Sequence, residues 1–350
     1  MTGVSVIIKA LDEEAKIAKA IESALRAISN VGGEVILADA LSDDRTVEIA
    51  RSFPITIVQL VHVADRGCGS GPQLGFQHAQ GDFVYLMDGD MELQPGFIEA
   101  GLSALESEHD LAGVGGLLEY PPDPAIEYRA RQLRRKADEA PGYVNHLSCG
   151  GLYRTQTIRR MGYVSNRNLH SFEELELGLR LGAAGWKLKR IDKLSVHHHT
   201  HRLGAYTLLA KKLRAGFGFG AGELLRSALG KSYLPYLLKE FSNLFIIGCW
   251  MVMLVVVPLA SITLPLRLAL LIALLAAPVI AVSVRRRSVQ IGLYTVASLS
   301  LVLVAAVRGA LRRQVDPLKP IESQVLQRGE WIYPLPAKAA RYQGSKWIRG

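Results

Sequence analysis

Cysteine is scarce in this sequence. The three residues present, Cys68, Cys149 and Cys249, have neither the spacing of a metal motif nor an evident pairing partner, so a reducing compartment is expected. A secretory leader is also missing, because the apolar stretch Val4–Ile8 is too short and acidic residues follow it.

Positive charge is scarce in the first third of the chain. Residues 1–120 carry a net charge of about −12, whereas residues 121–200 carry about +6 and residues 201–350 about +15, within an overall charge of +9. An acidic N-terminal part argues against a nucleic-acid partner. The basic C-terminal part is suited instead to the cytoplasmic face of an anionic membrane.

Two common phosphate-binding motifs are missing. The glycine-rich loop Arg66–Pro72 is not followed by Gly-Lys-Ser/Thr, as a P-loop would be. It is not a dinucleotide fingerprint either, because that motif follows the first strand of its domain. The loop therefore belongs to neither of these two motifs.

Charged residues are missing from three long stretches near the C-terminus. They are absent from residues 244–264, 268–284 and 288–307. Each stretch is close to the ~20 apolar residues that a helix needs to span a bilayer. We therefore predict a membrane region over residues 241–310, with transmembrane helices at about 241–261, 265–284 and 288–308.

Arginines suggest the orientation of these helices. Arg285–Arg287 should lie in the cytoplasm, because positively charged loops stay on that side, and the first two stretches then form a hairpin. The third stretch either spans the membrane, although Arg308, Arg312 and Arg313 follow it, or is a re-entrant or interfacial helix with a cytoplasmic tail. Residues 311–350 are predicted to be an extended tail that lies on the protein or the membrane.

Apolar strands alternate with helices in the first 90 residues. Strands are predicted at Val4–Ile8, Glu34–Asp39, Ile55–Leu60 and Phe83–Asp88, and the first connecting helix at Leu11–Ile28. This alternation at short spacing is typical of βαβ units. The predicted fold class is therefore α/β, with a mostly parallel central sheet.

Asp88 and Asp90 follow the apolar run Phe83–Met87. A strand buried on both faces can place carboxylates only where it emerges, and in open α/β sheets ligands bind at that edge. Gly89 permits a tight turn, and paired carboxylates suit Mg²⁺ or Mn²⁺, which usually bridge to phosphates. The alternative interpretation is a polar turn with two solvated acids, and the neighbouring motifs argue against it.

Three acidic residues, Glu173, Glu174 and Glu176, begin an amphipathic helix. Favourable interaction with the helix dipole and capping would by themselves explain acids at this place. A functional role therefore depends on what lies around them.

Two further clusters follow. The histidine run His197–His201 is as compatible with a solvated tract as with metal binding. Residues 205–240 carry Lys211, Lys212 and Arg214 among apolar residues, which predicts an amphipathic segment at the membrane surface.

The order of these motifs resembles that of the inverting family 2 glycosyltransferases. Val4–Glu14 resembles the family's first strand and Asn-Glu-Glu turn, and Leu37–Thr46 resembles its Asp-Gly-Gly-Ser-Thr-Asp-Gly-Thr motif. Asp88-Gly-Asp90-Met-Glu-Leu is very similar to its Asp-Ala-Asp-Met-Glu-Leu motif. The resemblance implies a GT-A fold over residues 1–230 and, with the membrane region, a layout similar to succinoglycan-type exopolysaccharide transferases.

The resemblance implies that Asp12, Asp39 and Arg66 bind the nucleotide of the donor, with Asp39 at the base. The family's two glycines after Asp39 are replaced here by Ala40 and Leu41. The identity of the base therefore stays open.

For the metal and the diphosphate, the resemblance implies that Asp88 and Asp90 bind Mg²⁺ or Mn²⁺ together with the donor. His197, at the end of a strand, is expected close to the metal, with His198 or His199 as alternatives. These residues would make the transfer metal-dependent.

For the acceptor side, Glu174 occupies the place of the family's catalytic base, an aspartate, and is one methylene longer. Lys212 and Arg214, or Lys211, are expected to neutralise the donor diphosphate or a lipid pyrophosphate. The implied activity is inverting transfer of a sugar from a nucleotide-diphosphate sugar to a membrane-associated acceptor.

The membrane region suits a polyprenyl-linked glycan or a polysaccharide as acceptor, in cell-surface or exopolysaccharide synthesis. The expected location is the inner (plasma) membrane, with several spanning helices in contact with lipid and a cytoplasmic catalytic domain. A polyprenyl-phosphate sugar synthase and a non-enzymatic membrane scaffold remain alternatives. A sugar nucleotidyltransferase is disfavoured, because Lys9–Glu14 is acidic where that class has a glycine-rich basic loop.

Overall fold

The computed structural model describes residues 3–119, 140–148, 150–199 and 204–334. Within these residues ten strands form one sheet, in the order β10-β3-β2-β1-β4-β8-β6-β9-β5, with β7 paired to β9. Their bounds are β1 Val4–Ala10, β2 Gly33–Asp39, β3 Thr56–Leu60, β4 Phe83–Asp88, β5 Met91–Leu93, β6 Leu111–Glu119, β7 Gly142–Val144, β8 Gly151–Arg154, β9 Lys187–His198 and β10 Ser323–Gln327.

The first four strands run parallel, as the strand–helix alternation predicts. β1 lies between β2 and β4, and β2 pairs with β3 on its other side. β8 then pairs antiparallel with β4 and β6, so the sheet is mixed beyond this point. The predicted α/β class with a mostly parallel centre is confirmed.

Twelve α-helices accompany the sheet in the described residues. Their bounds are α1 Ile17–Ile28, α2 Thr46–Ala50, α3 Ser70–His78, α4 Phe97–Ser107, α5 Thr155–Arg160, α6 Glu173–Ala183, α7 Ala205–Arg214, α8 Gly220–Ser227, α9 Leu234–Glu240, α10 Ser242–Leu259, α11 Leu264–Arg286 and α12 Val289–Leu311. The last three are long and apolar enough to cross a membrane.

Helix α1 packs on one face of the sheet, and the strands under it are buried on both faces. Its residues Ile17, Ile21, Ala24 and Ile28 recur every three or four positions and are fully buried against one side of the sheet. β1 is buried over nearly its whole length, so it carries apolar side chains toward both layers. Burial on both faces leaves the strand ends as the places for polar chemistry.

The structure differs from the sequence prediction at three elements. α1 begins at Ile17 instead of near Leu11, because the amide of Glu13 is bound by Thr46 Oγ1 and the segment before the helix is held as a turn. β9 is a twelve-residue strand that ends at His198, one residue beyond His197, where the sequence predicted the end of a strand. In the tail, which was predicted only as extended chain on the protein or the membrane, β10 joins the edge of the sheet antiparallel to β3, and residues 335–350 lie outside the described part.

Candidate active site

The carboxyl ends of β1, β2 and β4 meet at one edge of the sheet. In the register of these parallel strands Lys9 lies opposite Asp88, and Ala10 lies opposite Asp39. Three polar side chains from distant parts of the sequence are thereby gathered at neighbouring strand ends. This is the edge at which open α/β sheets bind ligands.

Asp88, Asp90 and His198 form a cluster at this edge. One carboxylate oxygen from each acid and one ring nitrogen of His198 all lie within 4.8 Å of one another. His198 reaches the acids because β9 pairs antiparallel with β5, which places Met91 opposite His198. Its Nε2 atom is 3.7 Å from Asp90 Oδ1.

The histidine at the cluster is His198, and the prediction for His197 is corrected by the pleat of β9. Neighbouring side chains on a strand point to opposite faces. His197 therefore turns away, and its Nδ1 lies 3.1 Å from Glu119 Oε2. His199 contacts Glu92 at 2.6 Å, and His201 is outside the described residues.

The donor atoms of this cluster fit a small divalent cation. Two carboxylates and one imidazole are ligands that Mn²⁺ accepts, and Mg²⁺ accepts the carboxylates with water filling the other positions. Lys16 Nζ lies 3.7 Å from Asp90 Oδ2, so a cationic group already balances part of this negative charge. Asp88 and Asp90 would hold the ion, with His198 as the third ligand.

Lys9 is the second cation at the strand ends. Its ammonium nitrogen lies 3.1 Å from Asp88 Oδ1 and 2.5 Å from Glu173 Oε1. Burial by itself lowers the pKa of a lysine, but these two carboxylates hold the pKa of Lys9 well above its usual value. Lys9 therefore stays charged and ties the first strand to the beginning of α6.

Glu174 lies beside this ion pair, at the first turn of α6. Burial raises the pKa of Glu174 to about 8, and the negative charges of Glu173 and Asp88 add to the rise. Lys9 acts in the opposite direction. A carboxylate with a pKa near the working pH is well matched to accept a proton.

The helix that carries Glu174 begins at a strained residue. Phe172 precedes it with φ +68°, in the left-handed region that a bulky side chain rarely adopts. Its ring packs edge-to-face on Phe241, with ring centroids 5.1 Å apart. Strain of this kind is found where a functional geometry is fixed by its surroundings.

The three acids of α6 have different surroundings. Glu176 is buried, receives two hydrogen bonds from the Arg180 guanidinium at 2.9 and 3.1 Å, and accepts one from the Tyr163 hydroxyl. Glu173 is held by Lys9. The dipole-and-capping interpretation treats the three acids alike, and this geometry separates them.

The loop after β2 is organised by the other predicted nucleotide-binding residues. Asp39 accepts hydrogen bonds from the Ser42 amide and hydroxyl and from Gln59 Nε2, at 3.1, 2.5 and 2.8 Å. Arg66 donates to the carbonyl oxygens of Ala40 and Leu41. Leu41 has φ +62° where the family motif carries a glycine, so these bonds hold a backbone conformation that its side chain disfavours.

Asp12 joins the turn after β1 to the same loop. Its carboxylate Oδ1 accepts a hydrogen bond from the Asp43 amide at 2.8 Å, and its own amide donates to Ser42 Oγ at 3.0 Å. Asp12, Asp39 and Arg66 are therefore brought together around one loop.

Residues 5–164 match the sequence profile of the family described as Glycosyl transferase family 2. These residues form a family 2 glycosyltransferase domain. The matched segment includes Asp88 and Asp90 but ends before Glu174 and His198. The tertiary structure therefore brings Glu174 and His198, which lie outside the matched segment, next to Asp88 and Asp90.

Two curated proteins match part of this chain. The chain is 26% identical over 113 residues to a dolichol-phosphate mannosyltransferase of Pyrococcus furiosus, and 28% identical over 116 residues to an undecaprenyl-phosphate 4-deoxy-4-formamido-L-arabinose transferase of Edwardsiella ictaluri. The matched segments span 31% of this chain in both cases and 32% and 36% of the two relatives. They thus cover about a third of each relative.

A solved structure extends the similarity of fold beyond the matched family segment. A mannosyltransferase from Pyrobaculum calidifontis, in complex with GDP-mannose and Mn²⁺, superposes with a TM-score of 0.57 at 16% identity. The superposition covers 89% of this chain and 88% of that one. The GT-A fold of the family 2 domain is therefore confirmed.

The basic helix α7 lies next to this domain. Burial and the charge of Asp90 raise the pKa of Glu13 to about 7, and the nearby charge of Lys211 acts weakly in the opposite direction. Lys212 lies over the ring of Phe217 at 5.7 Å, and Arg214 is exposed at the end of the helix. The three basic residues therefore have separate surroundings.

Lys9 is the residue of the site that sequence reasoning missed. A lysine inside the strand Val4–Ala10 needs a buried counter-ion, because an unpaired charge is costly there. Parallel pairing of the first and fourth strands would have placed Asp88 beside it. The pairing of Lys9 with Asp88 could therefore have been inferred from the sequence. The second partner of Lys9, Glu173, could not, because it is 164 positions away.

Proposed function

We propose that this chain catalyses inverting transfer of a sugar from a nucleotide-diphosphate sugar to a hydroxyl group of a membrane-associated acceptor, with a divalent cation on Asp88, Asp90 and His198. The observation that carries the proposal is the position of Glu174 beside this cluster, next to the family 2 domain of residues 5–164. The cluster and Glu174 supply the two groups that the chemistry requires, one for the leaving group and one for the nucleophile.

The donor half of the site is built from the strand ends. A divalent ion held there would neutralise the diphosphate as the bond from its oxygen to the sugar breaks. Asp39, Asp12 and Arg66 hold the loop that would bind the nucleoside. The basic residues at the end of α7 would neutralise the remaining phosphate charge. The base and the sugar are selected by contacts in this loop.

The acceptor half is the pocket in front of Glu174. Asp88, Glu173 and Glu174 line it together with Lys9, beside Gly150 and Gly151. Among the described residues, Lys9 is the one cationic residue that lines this pocket, and it is already paired with Asp88 and Glu173. The described lining therefore has no uncommitted positive charge for an anionic acceptor, which supports a hydroxyl acceptor over a phosphate acceptor.

The proposed reaction is a single displacement at the anomeric carbon of the donor sugar. The acceptor oxygen attacks the anomeric carbon from the face opposite the diphosphate, and its proton passes to Glu174. The bond between the anomeric carbon and the diphosphate oxygen breaks, and the electron pair leaves with the nucleoside diphosphate. Attack from the opposite face inverts the anomeric configuration.

A polyprenyl-phosphate sugar synthase is the second candidate. The names of the two curated relatives, a dolichol-phosphate and an undecaprenyl-phosphate transferase, support it. A phosphate oxygen is already ionised at neutral pH, so this reaction would not require Glu174 as a base. The two candidates therefore differ in their dependence on one carboxylate.

We further propose that residues 1–230 are the catalytic unit on the cytoplasmic side of the plasma membrane and that the acceptor is lipid-linked. Three apolar helices follow this unit and fit an acceptor whose lipid tail remains in the bilayer. The physiological product would belong to cell-surface or exopolysaccharide synthesis.

A screen of nucleotide sugars tests the donor assignment. The thermal stability of the full chain is measured with each UDP-, GDP- and dTDP-sugar, with Mn²⁺ and with EDTA. We expect stabilisation by one nucleotide class, in Mn²⁺ only. Absence of metal-dependent stabilisation by every donor would contradict the proposal.

An acceptor assay separates the two candidates. Release of nucleoside diphosphate is measured with a polyprenyl phosphate and with a polyprenyl-linked saccharide. The proposed function predicts turnover with the saccharide that is lost in Glu174→Gln. Turnover with the bare phosphate that survives in Glu174→Gln would favour the synthase.

A further inference from the structure

We infer that the third apolar helix, α12, does not cross the membrane but lies in the plane of its surface on the side of the catalytic domain. The chain then crosses the bilayer only as the hairpin of α10 and α11. This inference concerns how the protein meets its lipid partner and holds whatever the sugar or the acceptor is.

Both ends of α12 are bound to elements of the catalytic side. Near its beginning, the ring of Tyr294 packs on Tyr206 of α7, with centroids 5.5 Å apart. Near its end, α12 lies so close to α8 that a methyl group on Gly222 would overlap the backbone of Ala306. Arg226 of α8 also donates a hydrogen bond to the carbonyl oxygen of Ala310 at 3.0 Å.

Helix α8 packs on α6, the helix that carries Glu174. Leu224 of α8 is fully buried in one cluster with Leu175 and Leu179 of α6. Glu223 accepts hydrogen bonds from the amide and the ring of His170, both within 3.1 Å, just before α6. The end of α12 is therefore one helix away from the helix that carries Glu174.

The chain after α12 returns to the catalytic domain at once. The amide of Val315 donates to Asn168 Oδ1 at 2.8 Å, and the amide of Ile321 donates to Gln77 Oε1 at 2.7 Å. β10 then pairs with β3 in the sheet that holds the site. If α12 crossed the membrane, these contacts would have to form across ~30 Å of hydrocarbon.

The other two apolar helices have the lengths and surroundings of spanning helices. α10 has 18 residues and α11 has 23, which correspond to about 27 and 35 Å of helix, against a hydrocarbon core of about 30 Å. They are joined in the middle, where Trp250 Nε1 donates to the carbonyl oxygen of Leu274 at 2.8 Å. α11 has no buried residue, so its surface is left for lipid.

Helix α12 crosses the base of this hairpin. Its Gly292 lies against Ser283, near the end of α11, and its Leu303 lies against Gly248, within the first two turns of α10. If α12 rose beside α10 from the same side, Leu303 would lie about 21 Å along its helix, whereas Gly248 lies only about 9 Å along α10. The contacts therefore place α12 across the two helices, at the level of the catalytic domain.

The exposed face of α12 fits the boundary between lipid headgroups and acyl chains. Its exposed apolar residues recur every three or four positions over the whole helix: Leu293, Ala297, Leu301, Val304, Val307 and Leu311. Arginines flank it at both ends, with Arg285–Arg287 before it and Arg312 and Arg313 after it. The opposite face of α12 is covered by protein, with Tyr294, Val296 and Ala306 buried, so the apolar stripe is the part left for lipid. The arginines at both ends suit the headgroups of an anionic bilayer.

Spin-label depth measurements test the inference. Single cysteines replace Leu293, Leu301 and Val307 of α12, and Leu275 at the middle of α11, in the full chain with Cys68, Cys149 and Cys249 changed to alanine. The labelled proteins are placed in vesicles of phosphatidylethanolamine and phosphatidylglycerol. We expect the three α12 labels at one shallow depth, about 5–10 Å below the headgroups, and the Leu275 label near the bilayer centre, about 15 Å deep.

A second measurement requires no substitution. A short fluorescent-protein fragment fused after Gly350 is complemented by its partner expressed in the cytoplasm of the host cell. The inference predicts complementation, because the tail stays on the catalytic side. A tail fragment that is complemented only when the partner is added outside the cell would overturn the inference. A spin label at Leu301 that lies as deep as the label at Leu275 would also overturn it.

Discussion

The ammonium group of Lys9 lies 2.5 Å from the carboxylate of Glu173, and this contact joins the end of the first strand to the beginning of the helix that carries the proposed base. The same ammonium lies 3.1 Å from Asp88, a proposed metal ligand. One lysine thus connects the donor half and the acceptor half of the site. Its replacement should affect both halves.

We expect Lys9→Met to move the acidic limb of the pH–rate profile to higher pH. Lys9 lowers the pKa of Glu174, so its loss lets that pKa rise further. Turnover at pH 7 should fall, because less of the base is ionised. The measurement is kcat/KM between pH 6 and 10, with Lys9→Arg as the control that keeps the charge. An acidic limb that stays in place in Lys9→Met would show that Lys9 does not act on the base.

Glu174→Gln should abolish turnover while leaving donor binding in place. Loss of a general base costs typically ~10²–10⁴-fold in rate, and glutamine has nearly the same shape. The quantities to measure are kcat and the Kd of the nucleotide for each variant. Glu176→Gln is the control, because it breaks the buried contact to Arg180 and should lower the melting temperature instead.

If the acids at the start of α6 serve only the helix dipole, Glu174→Gln and Glu173→Gln will behave alike. Equal, small losses of stability with normal turnover would transfer the role of the base to another acid. The structure predicts separate behaviour, because Glu173 is paired with Lys9, whereas burial raises the pKa of Glu174 to about 8.

The free energy of unfolding should decrease as the pH rises, because folding raises the pKa of Glu174. The pKa rises from 4.5 to about 8 on folding, so the folded chain holds this proton more tightly than the unfolded chain. This contribution to the free energy of unfolding is fully present below pH 4.5 and decreases as the pH rises to about 8. Glu174→Gln removes the titration, so the variant should melt at a higher temperature than the parent at pH 8 and not at pH 4.5. The melting temperatures of both proteins across this range are the check, and a constant difference would contradict it.

His198→Ala and His197→Ala form a matched pair for the metal site. The two residues are adjacent, but only His198 joins Asp88 and Asp90, while His197 contacts Glu119. We expect His198→Ala to weaken Mn²⁺-dependent nucleotide binding more than ~10-fold and His197→Ala to leave it nearly unchanged. Titration calorimetry with and without Mn²⁺ distinguishes them. A larger loss in His197→Ala would favour His197 as the metal ligand.

Asp90→Asn should remove the metal-dependent part of the nucleotide affinity altogether, since it neutralises a ligand of the cluster. Asp88→Asn should do so less completely, because Lys9 already shares its carboxylate. The metal-independent affinity and the melting temperature without ligand should change little. Asp110→Asn, at an exposed ion pair with Lys187, is the control for loss of one surface charge.

The strand ends were predictable because their signals are local. Phe83–Asp88 is a run of apolar residues that stops at acids, and a buried strand can carry such acids only at its end. The parallel order of the first four strands followed from the alternation of strands and helices. The amino-acid sequence by itself therefore determines that Asp88 and Asp90 lie at the ligand-binding edge of the sheet.

The direction of His198, the partners of Lys9 and the proposed course of α12 depend on tertiary structure alone. A run of consecutive histidines does not reveal which ring faces inward, because that depends on the pairing of β9 with β5. An apolar helix of 23 residues has the same composition whether it spans the bilayer or lies on it. Contacts between residues distant in the sequence, such as those between α12 and α8 and between β10 and β3, distinguish the two arrangements. Sequence periodicity reports which faces of a segment are apolar, whereas its neighbours in space are fixed by the packing of the whole chain.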